Sequence, residues 1–574
     1  MRFFIPEWDD RVDPGYDFST DSHSAMHNAN PMENDSYMWD IFEKEKVPFD
    51  GVLVSIANLQ QNTRKYKSIL DKGIHSFLGL PQDFQILADC GAFSYIDQEI
   101  PPYKTSDVLK IYSDLDFNYG VSIDHLVVPM HKEKNKQRIE ITFKNGVEAH
   151  NEWKNKYKED FQLIVAVQGA EIRDYLLMFN KFYKNGIRHF AFGGLVRTQT
   201  TFIIQLIEAL IEDINKTKKK PELIHFFGVA RYSLFSKFKE LDDMGISTSF
   251  DSSSHLRKAW LTSAHTEFNY IDQSWTGYSA IRIPSKLTKE KLEFIDPDEY
   301  ASLSNDCLNS LRKFDDDEIS LKKVMEKLKK FIERMHEDPE LLKYYQRTLE
   351  SKPWKQCSCP ICKEIKIDVV IFRGNNRNRR RGFHNVFVFN EILKDKAKWE
   401  RCKKKELEKQ IRSLERTNLD FLKGKENVLV ITGCSKNKLT CEEGSNGKVM
   451  AKELYQGTLF KKVRAYAEAM HFDYRIISAK HGLITPEFSL ETYDQRLNTI
   501  CDVEKIRPNV EIKLKQDLIQ YDTIAVIAGD KYRLVLGNLV NNKFRFIKAK
   551  GIGDMIQIVS KAVPKNKKLA EFVD

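Results

Sequence analysis

Three cysteines fall within six residues, Cys357-Ser-Cys359-Pro-Ile-Cys362, and His384-Asn385 follow twenty-two positions after the last of them. Three thiolates and an imidazole complete the tetrahedral set that a structural Zn²⁺ takes, with no open position for catalysis. The plain alternative is a group of buried thiols in a reducing cytosol. A second set of residues is acidic. Asp89 closes the apolar run Gln85-Ile-Leu-Ala, Asp124 closes Gly120-Val-Ser-Ile, and Asp251 closes Ser249-Phe250. Gln168-Gly169 follow Ile164-Val-Ala-Val, and Gly193-Gly194-Leu195 end another such run. Any one Asp after a strand reads equally well as the N-cap of the next helix. Together they suggest retaining glycosyl transfer, in which one carboxylate attacks an anomeric carbon and a second shuttles the proton.

The elements that would position these groups alternate regularly. Short apolar runs at Val52–Ile56, Gln85–Ala88, Val121–Ile123, Leu163–Val167, His189–Phe192, Ile224–Val229 and Thr248–Phe250 are separated by segments of helical pattern, and Ser279–Ile283 is an eighth candidate. Such alternation implies parallel βα units. Eight of them fit a closed (β/α)₈ barrel of about 250 residues, whose chemistry gathers at the C-terminal ends of the strands. An open doubly wound sheet is the other reading, but no Gly-x-Gly-x-x-Gly opens the first unit. The expected organisation is an irregular N-terminal extension over 1–48, the barrel with its zinc site over 49–395, a basic helical linker over 396–425, and a second α/β domain over 426–574. In that last domain, strands are expected at 428–432, 474–478 and 523–528, with an amphipathic helix around Leu459–Met470.

The chain of 574 residues is too long for one core, and its composition, 41% hydrophobic and 30% charged, is globular. Nine unevenly spaced cysteines do not make a disulfide framework. No run of eighteen apolar residues occurs and the N-terminus lacks a signal-peptide core, so a cytoplasmic protein with no membrane partner is expected. A net charge of +9 permits nucleic-acid binding. The run Arg377-Asn-Arg379-Arg380-Arg381 lies between the thiols and His384. A solvated charge run and a set of phosphate contacts are both open for it, and with the zinc fixing both ends the phosphate reading is preferred.

The strand-end motifs resemble those of the tRNA-guanine transglycosylases. Asp89-Cys-Gly-Ala-Phe93 is similar to that family's Asp-Ser-Gly-Gly-Phe, Ser249-Phe250-Asp251 to its Phe-Asp, Val167-Gln168-Gly169 to Val-Gln-Gly, Phe192-Gly193-Gly194-Leu195 to Gly-Gly-Leu, and Phe227-Gly228-Val229 to Met-Gly-Val. The zinc motif has the family's order and spacing. The resemblance covers roughly residues 50–395 and implies Asp251 as nucleophile, Asp89 as catalytic acid/base, and Asp124, Gln168, Gly193, Gly194 and Leu195 as the base pocket. Phe93, Tyr95 and Trp260 are candidates to stack on a base. Cys90 and Ala92 depart from the family pattern. Ser252-Ser-Ser-His-Leu-Arg257 replaces the segment that helps the tRNA enzymes grip an anticodon loop, which leaves Arg257 and Lys258 as candidate nucleic-acid contacts. This departure resembles the DpdA-type branch, which inserts 7-deazaguanines into DNA. That likeness implies DNA as the polymer, with tRNA as the alternative, 7-cyano-7-deazaguanine as the incoming base, and room for other proteins of a DNA-modification system. A catalytically silent nucleic-acid-binding module is the reading from another class, and the presence of both Asp89 and Asp251 speaks against it.

The C-terminal motifs Gly433-Cys434-Ser435-Lys436-x-Lys438, Leu454-Tyr455-x-Gly457, Ser478-Ala-Lys480-His481-Gly482 and Tyr493-Asp494 resemble a domain of unknown function, DUF6884, related to the YaaA peroxide-stress proteins. Cys, Lys and His at strand ends there suggest a second active site or a nucleic-acid surface.

Overall fold

The computed structural model describes residues 1–42, 46–128, 133–261, 269–439 and 448–563. They form two compact units, Met1–Thr198 with Gln205–Cys402, and Lys403 onward with the short stretch Gln199–Ile204. Among the described residues no helix is long and apolar enough to cross a membrane.

The first unit is built on a closed barrel of eight parallel strands in sequence order: β1 Arg2–Pro6, β2 Gly51–Ser55, β3 Gln85–Asp89, β4 Tyr119–Val121, β5 Gln162–Val167, β6 His189–Phe192, β7 Leu223–Phe226 and β8 Ser247–Asp251. The expected barrel is present, but its first strand comes from the segment expected to be an extension. Arg2–Pro6 lies between β2 and β8, with Phe4 opposite Gly51 on one side and Asp251 on the other. Phe3 and Phe4 are both buried. Gly51 permits this approach, because a Cβ there would sit 2.3 Å from the Phe4 ring. The eighth candidate, Ser279–Ile283, is outside the barrel. After β9 Tyr270–Ile271 and β10 Gly277–Tyr278, strand β11 Ile281–Arg282 pairs in parallel with β12 Ile371–Phe372 beside the metal-ligand segment.

Residues two apart on a strand share a face, and this rule stacks the barrel interior in layers. Phe4, Leu53, Leu87, Val121, Ile164, Ala166, Ala191 and Leu223 fill it with apolar side chains. The residues two positions further along, Asp89 after Leu87 and His225 after Leu223, therefore stand above that plug, at the end where the strands finish.

The arginine run lies on a helix, Gly374–Lys394, and points mostly inward. Arg377 and Arg381 are fully buried and Arg380 nearly so. Arg377 pairs with Asp21 and with Asp368 at 2.7 Å, and donates to the Phe18 carbonyl at 2.7 Å. Arg380 donates to the Asp13 carbonyl at 3.0 Å. Arg381 reaches the carbonyls of Val369 and Ile371 at 3.0 Å and of Ala259 at 2.8 Å. Arg379 is half-buried and donates to the Arg11 carbonyl. The phosphate-contact reading is corrected for Arg377, Arg380 and Arg381: guanidinium groups buried this completely cannot reach a polymer outside. Arg377 and Arg380 bind residues 13–21 to the helix instead, and Arg381 ties the helix to the carbonyls of Ala259, Val369 and Ile371.

The second unit is a three-layer α/β domain. Its strands are β13 Glu415–Arg416, β14 Val428–Gly433, β15 Lys448–Met450, β16 Asp473–Ser478, β17 Gly482–Ile484, β18 Ser489–Glu491, β19 Thr523–Ile527 and β20 Phe544–Ile547. Six of them form a sheet in the order β13-β20-β19-β14-β16-β17, while β15 and β18 pair separately. Apolar cores cover both faces, and the expected amphipathic helix is Thr458–Ala469. The basic linker is helical over Lys396–Ser413, yet it is not simply a solvated spacer. Leu407 and Ile411 enter the core of this domain, and Glu415–Arg416 is its edge strand.

Removing one partner of a buried, paired charge costs about 3–5 kcal/mol. Arg377→Ala should therefore lower the stability of the barrel unit by that order in denaturant titrations. Arg379→Ala should cost well under half as much.

Candidate active site and metal centre

The carboxylates expected from the strand ends meet at one mouth of the barrel. Asp89 ends β3 opposite Ser55, and Asp251 ends β8 opposite Phe4. The Asp89 carboxylate accepts the Gly91 N–H at 3.2 Å. Burial, and then the negative charges of Asp124 and Asp251, push its pKa up to about 7. At neutral pH it is thus poised between acid and base. Asp251 is 7% exposed. Its Oδ1 accepts the Gly228 N–H at 2.8 Å and lies 3.2 Å from His225 Nε2. Among the described residues no hydrogen bond engages Oδ2, which leaves that oxygen for a substrate.

His225 was not singled out from sequence, because it sits inside a strand that reads as apolar. It is fully buried, with Nδ1 2.9 Å from Ser249 Oγ. An ionised Asp251 can only accept, so Nε2 carries the proton and Nδ1 accepts from the Ser249 hydroxyl. The signal available in the sequence was a lone imidazole two positions behind the Phe227-Gly228-Val229 motif, on the same strand face as Leu223.

The base-pocket candidates are assembled next to these acids. Asp124, 4% exposed, accepts from Gln168 Nε2 at 2.6 Å and from the Cys90 thiol at 3.4 Å. Burial raises the Asp124 pKa, and those two bonds oppose the rise. Gln168 is fully buried, and its Oε1 accepts the Val127 N–H at 3.3 Å. The glycines are required by this packing. A Cβ on Gly193 would lie 2.2 Å from Gln168 Nε2, and Gly194 has φ +74° with Gln168 Oε1 2.9 Å from where its Cβ would be. Tyr175 donates to the Gly193 carbonyl at 2.8 Å, and Leu195 is fully buried. Cys90, where the family pattern has Ser, joins the same network through Tyr95 at 3.0 Å, and Tyr95 donates to the Asp124 carbonyl at 2.9 Å.

Of the stacking candidates, Tyr95 is buried and engaged, and Trp260 donates to the Asn378 carbonyl at 3.0 Å. Phe93 is 57% exposed and stays free to meet a ring. Arg257 and Lys258 lie on the short helix Ser254–Lys258 directly after Asp251. The Arg257 guanidinium is exposed, 5.8 Å from the ring of Trp8, and the Lys258 ammonium is 4.9 Å from the ring of Trp275.

The four expected metal ligands also converge. The sulfurs of Cys357, Cys359 and Cys362 lie 3.5, 3.4 and 3.4 Å from His384 Nδ1. A tetrahedron with Zn–S of about 2.3 Å and Zn–N of about 2.1 Å has S···N edges of about 3.6 Å, so this donor set fits such an ion. His384 Nε2 donates to the Ile271 carbonyl at 2.9 Å, which fixes the tautomer that leaves Nδ1 as ligand. The backbone N–H groups of Cys359 and Cys362 point at the sulfurs of Cys357 and Cys359. The centre is closed and has no part in the carboxylate cluster.

The first unit thus joins a parallel barrel, with buried carboxylates at its C-terminal mouth, to a closed Cys₃His group. Comparison with known proteins gives the particular kinship. A DNA-guanine transglycosylase of Salmonella montevideo is 31% identical over 418 residues, covering 68% of this chain and 95% of that protein. The family of unknown function DUF6884 matches residues 428–558. The uncharacterized protein YfjM of Bacillus subtilis (strain 168) is 27% identical over 150 residues, 25% of this chain and 98% of YfjM. The chain belongs to the DNA-guanine transglycosylase family of the guanine transglycosylase superfamily, with a DUF6884 domain at its C-terminal end.

Two measurements check this site. Asp89 has a folded-state pKa above its unfolded value, so the native state holds the extra proton between about pH 4 and 7, and stability falls across that window as pH rises. Asp89→Asn should therefore raise the melting temperature, by an amount that grows from pH 4 to pH 7 and then levels off. Metal analysis of the purified protein should find a single tightly held equivalent, lost in Cys359→Ser, and chelation should lower the melting temperature.

Proposed function

We propose that the protein exchanges guanine in DNA for a 7-deazaguanine, 7-cyano-7-deazaguanine being the incoming base, through a covalent glycosyl-aspartate. The observation that carries this reading is the unequal treatment of two neighbouring acids: Asp251 is held by two donors on one oxygen, while Asp89 is pushed up to about pH 7.

Asp251 Oδ2 attacks C1′ of the target nucleotide and the C1′–N9 bond breaks, its electron pair leaving with guanine. Asp89 delivers the proton that neutralises the departing base. The incoming base then loses its N9 proton to Asp89 and attacks C1′ through N9, the C1′–O bond to Asp251 breaks, and the original configuration is restored. The Gly228 N–H and His225 Nε2–H hold the carboxylate in place and stabilise its charge between the two displacements.

Asp124 accepts from N1–H and the 2-amino group, which a guanine-like edge presents and adenine does not. Gln168 and the backbone at Gly194 address the remaining edge atoms, and Phe93 stacks on the ring face. A base in a duplex must first leave the stack, at a cost of a few kcal/mol, and Arg257 and Lys258 beside the mouth meet the phosphates of the displaced strand. Zn²⁺ on Cys357, Cys359, Cys362 and His384 contributes folding free energy.

Labelled guanine and 7-cyano-7-deazaguanine should enter duplex DNA with the wild type, and incorporation should disappear in Asp251→Ala. Gly193→Ala should raise KM for the base at least tenfold, because Gln168 must move. Label entering tRNA alone would overturn the choice of DNA, and label entering neither polymer would overturn the exchange reading.

A further inference from the structure

The C-terminal domain carries a second cluster of reactive and charged side chains that the base-exchange reading does not use. Its sheet places β14 between β16 and β19, all three parallel. The chain leaves β14 toward β16 and later crosses to β19 on the other side. In open α/β sheets the crevice beyond the carboxyl ends of strands at such a reversal is where ligands sit. Here the loops after these three strands come together at that edge. The Cys434 N–H donates to the Ile477 carbonyl at 2.9 Å, and the Cys434 thiol lies 3.2 Å from the Tyr532 hydroxyl. Tyr532 packs directly on Gly433, where a Cβ would be 2.9 Å from the ring.

Beside them is a rigid polar platform. The Tyr493 hydroxyl lies 2.7 Å from both the Tyr455 hydroxyl and Ser478 Oγ. Ser478 Oγ in turn accepts the N–H groups of Lys480 and His481, at 3.3 and 3.1 Å. Two ammonium groups flank the Tyr493 ring, Lys438 at 4.4 Å and Lys480 at 5.8 Å from its centre. Among the described residues neither lysine forms an ion pair. His481 is held below its ordinary pKa by burial first and then by Lys480 and Lys513, in keeping with a positive local field.

Two ammonium groups with no carboxylate partner among the described residues, within 6 Å of one ring centre, suit a dianion better than a monoanion. A phosphate monoester carries about two negative charges at pH 7 and three acceptor oxygens, whereas a carboxylate carries one charge. We propose that this edge, bounded by Cys434, Tyr532, Lys438, Tyr493 and Lys480, is a second ligand site that takes a small molecule bearing a phosphate monoester. It acts apart from the barrel's base pocket.

The test is calorimetric titration of the full chain with inorganic phosphate, uridine 5′-monophosphate, uridine and acetate. Both phosphate compounds should bind and the other two should not. Tighter binding of the nucleotide would identify a nucleotide as the ligand, and equal binding would show that the phosphoryl group alone is recognised, whichever small molecule carries it. Lys480→Gln should weaken binding at least tenfold; its side chain is exposed, so the fold is kept. Lys438→Gln should act in the same direction, and Asp251→Asn should bind like wild type. No binding at millimolar concentration, acetate binding equal to phosphate, unchanged affinity in Lys480→Gln, or lost affinity in Asp251→Asn would each overturn the proposal.

Discussion

The insertion of Arg2–Pro6 between β2 and β8 is the constraint on which the first unit depends. Without it the sheet is open and the ends of β3 and β8 have no reason to face a common axis. With it, Asp89 and Asp251 project into one mouth over an apolar plug. The same strand leads straight into residues 11–21, which the buried arginines of the 374–394 helix hold through Asp13, Phe18 and Asp21. That helix also supplies His384 to the Cys₃His group. Barrel closure, arginine anchoring and metal ligation thus bear on one continuous stretch of structure.

The mouth itself is an exercise in sharing negative charge. Three carboxylates placed together out of water cannot all ionise freely. Asp124 is compensated by Gln168 and the Cys90 thiol, and Asp251 by a backbone amide and an imidazole. Asp89 has the Gly91 amide and two unfavourable neighbours, so it is the one that takes up a proton near neutrality. The division of labour follows from who was given donors.

What the sequence disclosed follows the same physics. Seven barrel strands were legible because each is an apolar run with a helix on either side, and the chemistry-bearing residues were legible because they end those runs. Arg2–Pro6 was missed since no βα unit precedes it to set the rhythm. Ser279–Ile283 reads as a strand of the barrel because an apolar run does not say which sheet it joins. The arginines read as solvent-facing or phosphate-facing because a charge run on its own gives no sign of Asp21, which is over 350 positions away, or of the carbonyls waiting for it. His225 was hidden by apolar neighbours, and its partners come from the following strand rather than from its own.

The position of β1 also bears on how the barrel is reached. Its two partners, β2 and β8, are far apart in the chain, so the β1–β8 ladder is among the most sequence-distant contacts of this unit. Contacts of that kind slow folding because their loop-closure entropy is lost before they repay it. Until Arg2–Pro6 inserts, β2 and β8 stand as bare sheet edges, each with a row of unmet N–H and C=O groups. Such edges readily accept a strand from another molecule. The barrel's dependence on one short strand therefore makes its partly folded state, rather than its finished surface, the form most exposed to aggregation.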